Sequence, residues 1–104
     1  MNKREVKDAV VLLQEKLKKE AIPVQKMVLF GSYASNKPHI DSDIDVAIVL
    51  PADISPSLRK KAGEIFWWAK QINVKLEPHV LSDNDLRNRF FSLSAEIKKH
   101  GITI

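Results

Sequence analysis

The feature that most constrains this chain is the seven-residue run Ile44-Asp45-Val46-Ala47-Ile48-Val49-Leu50, in which Asp45 is the only polar residue. Short apolar runs rich in β-branched residues predict β-strands, because branched side chains fit an extended backbone better than a helix. Pro51 follows directly and ends the pattern, since proline has no N–H with which to continue a ladder. We therefore expect a strand over residues 44–50, and a fold that includes a sheet.

Helical and strand patterns alternate around this strand. The predicted elements are a helix over 3–20, a strand over 27–30, a short helical turn through Ala34, a helix from Ser55-Pro56 to about 72, a strand over 74–81, a helix opened by Ser82 and Asp85, a helix over 92–99 and a β-like tail at 102–104. Pro78 indicates that part of the third strand lacks a ladder partner. The order α, β, short α, β, α, β, α, α predicts the α/β (α+β) class, in one domain over residues 1–104.

The composition is that of an ordinary globular domain and limits the kinds of ligand. Apolar residues make up 44% and charged residues 29% of the chain, unlike the charge-rich composition of disordered proteins. The net charge of +4 is modest, so charge alone does not predict nucleic-acid binding. Without cysteine, any metal must be bound by oxygen or imidazole. The charged N-terminal residues and the lack of a long apolar stretch predict a cytoplasmic protein without a membrane partner.

Two aspartates at the beginning of the predicted strand are the first candidates for chemistry. Side chains alternate between the faces of a strand, so Asp43 and Asp45 should project on one side and Ile44 on the other. Mg²⁺ prefers carboxylates, waters and substrate phosphates, and two adjacent carboxylates can hold one or two such ions. Two ions about 4 Å apart can clamp the attacking and leaving oxygens of an in-line displacement. Glu77 is the candidate third carboxylate, because a charge within the third predicted strand has little structural justification.

Gly31 and Ser32 follow the preceding strand and form a candidate nucleotide-binding turn. The missing Cβ of Gly31 would let a phosphate come close to the backbone. The amides of Ser32 and Tyr33 would begin a short helix whose positive end attracts anions, and the Ser32 hydroxyl adds a donor. These groups would hold the terminal phosphates of a nucleoside triphosphate while the carboxylates hold its metal.

Other ligand sites fit the sequence less well. The segment Asp41-Ser42-Asp43-Ile44-Asp45 begins like a calcium loop, but Val46 stands where glycine is needed and Ala52 where glutamate is needed. The three glycines are too far apart for a P-loop. The histidines lack metal-ligand spacing, and His79 is the best candidate among them for a role in the site because it shares strand parity with Glu77.

Two segments resemble the signature of a known family. Leu29-Phe30-Gly31-Ser32-Tyr33-Ala34 and Ser42-Asp43-Ile44-Asp45-Val46-Ala47-Ile48 are similar to the motifs of the polymerase-beta-like nucleotidyltransferases. The short length resembles the minimal nucleotidyltransferase (MNT) branch of that superfamily. The resemblance implies the polymerase-beta-like fold, a small mixed β-sheet flanked by helices, and the transfer of a nucleoside monophosphate from a nucleoside triphosphate.

The resemblance also implies roles for particular residues. Members of the family use an Asp-x-Asp pair and a third carboxylate to bind Mg²⁺, and these positions correspond to Asp43, Asp45 and Glu77. Gly31-Ser32 corresponds to the nucleotide-binding turn. One departure is Ser35-Asn36, which stands where the family often has Arg-Gly and where an arginine would affect triphosphate binding or acceptor choice.

A protein partner is a further implication of the resemblance. Minimal nucleotidyltransferases are commonly paired with an all-helical HEPN protein in toxin-antitoxin systems, in which the nucleotidyltransferase is the antitoxin. The expected activity is transfer of AMP from ATP to a hydroxyl on that partner, with two Mg²⁺ ions and a homo- or hetero-oligomeric assembly. A chain of 104 residues leaves little room for an acceptor site of its own.

Two other functions are compatible with the same motifs. A catalytically weak or inactive nucleotide-binding module would neutralise its partner by direct contact, through whichever of Trp67 and Trp68 is exposed, and Ser35 favours this interpretation. A kanamycin-type small-molecule nucleotidyltransferase is disfavoured, because nothing beyond the catalytic core remains to hold such an acceptor. The enzyme acting on a protein hydroxyl is the leading hypothesis.

Overall fold

The computed structural model describes residues 2–35, 42–51, 56–88 and 92–104, and within them a mixed four-stranded sheet. The strands are β1 (Lys26–Phe30), β2 (Ile44–Leu50), β3 (Leu76–Ser82) and β4 (Ile102–Thr103), in the spatial order β3-β2-β1-β4. β2 and β3 are parallel, whereas β1 is antiparallel to both β2 and β4. The predicted α/β (α+β) class, with a small mixed sheet, is confirmed.

Helices cover both faces of this sheet. They are α1 (Lys3–Lys19), α2 (Pro56–Ile72), α3 (Asp83–Arg87) and α4 (Ser92–His100), and a 3₁₀ turn at Gly31–Tyr33 follows β1 directly. The predicted bounds agree with these to within two residues, with the largest shift at β3. That strand begins later than residue 74 because Leu76 donates its N–H to the Asn73 carbonyl in a turn. No helix in the described ranges is both long and apolar enough to cross a membrane.

Two apolar cores flank the sheet because the side chains of β2 alternate between them. The larger core lies under α1 and α2 and includes Val6, Ala9, Val10, Leu13, Leu17, Ile44, Val46, Ile48, Ile65, Ala69 and Leu76. The smaller core lies under α3 and α4 and includes Val28, Phe30, Ala47, Val49, Leu81, Leu86 and Ile97. Asp45 is on the face of the smaller core, at the end of β2 where the apolar cover stops.

Pro78 and Ser82 explain the edge position of β3 and the point where the strand ends. Pro78 lies on an edge strand, as expected for a residue that cannot donate to a ladder. At the end of the strand, the Ser82 hydroxyl accepts from the Asp85 N–H at 3.1 Å, and the Asp85 carboxylate accepts from the Ser82 N–H at 3.0 Å. This capping box begins α3 where the sequence predicted a helix.

Replacement of Leu13 by Ala tests the larger core. Leu13 is fully buried, so we expect Leu13→Ala to lower the free energy of unfolding by about 2–5 kcal/mol through lost burial and a residual cavity. The adjacent Leu12 is 52% exposed, and Leu12→Ala should change the free energy of unfolding by about 0.5 kcal/mol or less. Urea denaturation measures both, and equal losses would contradict the placement of α1.

Candidate active site

Strand pairing brings the ends of three strands together at one edge of the smaller core. Phe30, the last residue of β1, is paired with Asp45 in β2, and Asp45 is paired with Glu77 in β3. Paired residues project on the same face of a sheet. The backbone of Gly31, the side chain of Asp45 and the side chain of Glu77 therefore lie side by side, although they are far apart in the sequence.

The two aspartates differ in how firmly the sheet holds them. Asp43 directly precedes β2 and is exposed. The next residue, Ile44, donates its N–H to the Lys75 carbonyl at 2.7 Å and has its side chain fully buried in the larger core. Asp45 consequently faces the opposite side, with 28% of its side chain exposed. It is anchored by the sheet, while Asp43 lies at the solvent edge.

The space beside Gly31 is occupied by the carboxylate of Asp45. Gly31 has a φ of +74°, a left-handed conformation that favours glycine, and a Cβ built there would overlap Oδ2 of Asp45. The sequence suggested that the missing Cβ makes room for a phosphate. In the structure, the same room lets the carboxylate of β2 approach the turn that follows β1.

The turn after Gly31 is closed by local hydrogen bonds. The Gly31 carbonyl accepts from the N–H groups of Ala34 and Ser35, both at 3.1 Å. The Ser35 hydroxyl donates to the Ser32 carbonyl at 3.2 Å. Ser35 therefore stabilises the turn on which the predicted phosphate contacts of Ser32 depend, and its neighbour Asn36 lies outside the described residues.

Glu77 is held by a lysine that the sequence reasoning missed. Lys70 Nζ, in the last turn of α2, lies 3.1 Å from Glu77 Oε2 and also donates to the Val74 carbonyl at 2.9 Å. The same ammonium group stands 5.0 Å from the centre of the Phe66 ring. Because Lys70 is on a helix and its partner on a strand, no periodicity in the sequence links them. Only the position of Lys70 shortly before β3 could have suggested its contact with Glu77.

Asp45 has its own partner in His79. Nε2 of His79 lies 3.2 Å from Asp45 Oδ1, and the imidazole packs at 5.1 Å and 58° against the ring of Phe30. The strand parity that His79 shares with Glu77 was the signal that pointed to this residue. Glu77 and His79 thus reach the site from alternate positions of β3.

The chain matches, over residues 10–102, the model of a family described as "Nucleotidyltransferase domain". This chain belongs to the nucleotidyltransferase domain family. The match spans nearly the whole chain, so it confirms the resemblance carried by the two motifs. A search of curated proteins gives no significant match.

Solved structures with the same fold come from toxin-antitoxin systems. One is a crystal structure of a toxin-antitoxin with AMP-PNP, with a TM-score of 0.60 and 23% identity, and the match covers 92% of this chain and 69% of that chain. Another is a mutant of the toxin-antitoxin MntA-HpeT, with a TM-score of 0.59, 21% identity and the same coverage. At these identities the likeness shows the nucleotidyltransferase fold.

The donor atoms of this nucleotidyltransferase suit a hard divalent cation. Carboxylates at Asp43, Asp45 and Glu77, together with the phosphates of a nucleotide, are oxygen ligands of the kind that Mg²⁺ prefers. In the described part of the chain, no three histidine or acidic side chains converge as a ready metal site. Asp45 is hydrogen-bonded to His79, and Glu77 is paired with Lys70, so a metal ion at Glu77 would compete with the Lys70 ammonium for this carboxylate.

Substitution of Gly31 tests the contact between the turn and the carboxylate. Gly31→Ala should lower the free energy of unfolding by more than about 1 kcal/mol, because the residue is left-handed and its Cβ would displace Asp45. Gly63, in α2, is the matched control because nothing lies within 4 Å of a Cβ built there. Gly63→Ala should instead stabilise the protein by up to about 1 kcal/mol. Thermal or urea unfolding checks both, and a tolerated Gly31→Ala would contradict the described packing.

Proposed function

We propose that this nucleotidyltransferase is a Mg²⁺-dependent enzyme that transfers AMP from ATP to a hydroxyl on a partner protein. The partner is an all-helical HEPN toxin, and this chain is its antitoxin. The observation that carries the proposal is the position of Asp45, which lies beside the Gly31 turn and in register with Glu77. This position of the carboxylate beside the turn supports a metal ion held by Asp45 and phosphates held by Gly31-Ser32.

Each residue of the site has a separate role in the proposed reaction. Asp43 and Asp45 hold Mg²⁺, and the turn at Gly31-Ser32 holds the β- and γ-phosphates. The acceptor hydroxyl attacks the α-phosphorus, the bond to the bridging oxygen breaks, and pyrophosphate leaves. Glu77 orients the hydroxyl or takes its proton. When bound, Mg²⁺ supplies positive charge that stabilises the attacking and leaving oxygens.

The solved structures with this fold support the choice of nucleotide and partner. One toxin-antitoxin crystal contains AMP-PNP, an ATP analogue. The MntA-HpeT crystal is of a mutant in which two aspartates, two positions apart, become glutamates, the same spacing as Asp43 and Asp45 here. Both structures contain a toxin and an antitoxin, which supports an acceptor supplied by another protein.

A second candidate function is supported by one surface of α2. Trp67 is 63% exposed and Phe66 is 43% exposed, and exposed aromatic side chains are common anchors of protein interfaces. Of the two adjacent tryptophans, Trp68 is the half-buried one and has Lys16 5.3 Å from the centre of its ring. A nucleotide-binding module that neutralises its partner by contact through Trp67 would need no catalysis.

Transfer of label from ATP separates the two functions. The chain is incubated with its co-purified partner, Mg²⁺ and ATP labelled at the α-phosphate, and label on the partner is measured. The double variant Asp43→Asn, Asp45→Asn should reduce labelling by at least about 10³-fold, since the metal clamp contributes several kcal/mol to the transition state.

Asp8→Asn is the matched control because Asp8 is an exposed aspartate on α1. It should label the partner as the unchanged chain does. Absence of label in the unchanged chain, combined with nucleotide-independent partner binding by the double variant, would replace the enzyme with the binding module.

The role of Glu77 as third carboxylate is tested through Lys70. Lys70→Met removes the ammonium that holds Glu77, so Mn²⁺ used as a probe in place of Mg²⁺ should bind several-fold more tightly. The change in unfolding free energy should stay within about 1 kcal/mol, because the ion pair is partly exposed. Adding Glu77→Gln should abolish the gain. A gain that survives Glu77→Gln would show that Glu77 is not a ligand.

A further inference from the structure

We propose that His79 is a positioning residue that holds the Asp45 carboxylate in its metal-binding orientation, an inference that rests on the proposed function. It acts on the metal only through Asp45. The contact between His79 Nε2 and Asp45 Oδ1, at 3.2 Å, is the starting observation.

The direction of this hydrogen bond follows from the chemistry of the two groups. An ionised carboxylate can only accept, so the bond requires the proton on Nε2 of the imidazole. A nitrogen that carries this proton has no lone pair left for a metal. His79 therefore donates to Asp45 and does not bind a metal through Nε2. Hydrogen bonds of this kind orient metal-binding carboxylates in other proteins.

The imidazole is itself held in place. The ring of Phe30 packs against it at 5.1 Å, and Phe30 is only 3% exposed. Ala47, the residue paired with His79 in β2, carries only a methyl group. A fixed ring beside a small neighbour gives Asp45 a donor in one defined position.

The opposite side of Asp45 is limited by Gly31. Oδ2 of Asp45 occupies the space that a Cβ at Gly31 would take, while Oδ1 faces His79. The carboxylate is thus confined between a backbone turn and an imidazole. A carboxylate has about four lone-pair sites, so one hydrogen bond leaves the others for a metal.

Replacement of His79 by two side chains of similar length tests the donor. Glutamine keeps an N–H at a similar reach, whereas methionine has none. Mn²⁺ binding is measured by electron paramagnetic resonance of the free ion, in the presence of AMP-PNP. His79→Met should weaken Mn²⁺ binding about 10–100-fold, the usual effect of removing a group that orients a metal ligand. His79→Gln should stay within about threefold of the unchanged chain, and thermal unfolding should show both variants folded.

Three further variants and measurements complete the design. His100, exposed on α4, is the control for loss of a histidine, and His100→Met should leave Mn²⁺ binding unchanged. Asp45→Asn marks the loss of the metal site itself. Nitrogen-15 NMR of the unchanged chain should show the proton of His79 on Nε2, a result that needs no variant to fold.

The outcomes separate this inference from the proposed function. Tight Mn²⁺ binding that Asp45→Asn abolishes and His79→Met leaves intact would overturn the role of His79 alone. Equal losses of Mn²⁺ binding in His79→Gln and His79→Met would show that an N–H donor at this position is not enough, and would overturn the role of His79 as the donor that positions Asp45. Binding in the unchanged chain as weak as in Asp45→Asn would overturn both the inference and the proposed enzyme.

Discussion

The parallel pairing of β2 with β3 is the interaction on which the site depends. Its register sets Asp45 beside Glu77 and Ala47 beside His79, while Ile44 and Leu76 face the larger core. A shift of one residue would move every side chain of one strand to the other face. The register that buries Ile44 and Leu76 therefore also fixes the positions of the polar residues in the site. The pairing that builds the core therefore builds the site.

A parallel pair cannot be joined by a tight turn, and α2 lies in the connection between the two strands. Its buried residues Ile65 and Ala69 pack in the larger core, and its last turn brings Lys70 to Glu77 at the sheet edge. The crossover thus contributes to the fold and to the electrostatics of the site. The short helices α3 and α4 cover the opposite face only in part, which leaves Asp45 and Glu77 half-buried.

Partial burial explains why each of these carboxylates has a donor. A charge removed from water is costly unless it is hydrogen-bonded or paired. His79 is hydrogen-bonded to Asp45, and Lys70 forms an ion pair with Glu77. The described residues contain no buried side-chain polar atom without a partner. Local patterns could not have predicted the pairing of Asp45 with His79, because these residues are 34 positions apart and meet only through the strand register.

The sequence by itself determined the elements and the chemical types at the site. The bounds of β2, the capping box at Ser82 and the order of helices and strands follow from alternation, helical periodicity and capping, which act over a few neighbouring residues. The two motifs around Gly31 and Asp45 were enough to indicate the family. Only the tertiary structure decided that the space beside Gly31 is filled by the carboxylate of Asp45. It also decided that Lys70 pairs with Glu77, that His79 pairs with Asp45, and that the C-terminal strand β4 pairs with β1. These contacts join distant segments, and it is the packing of the two cores against one sheet that selects their register.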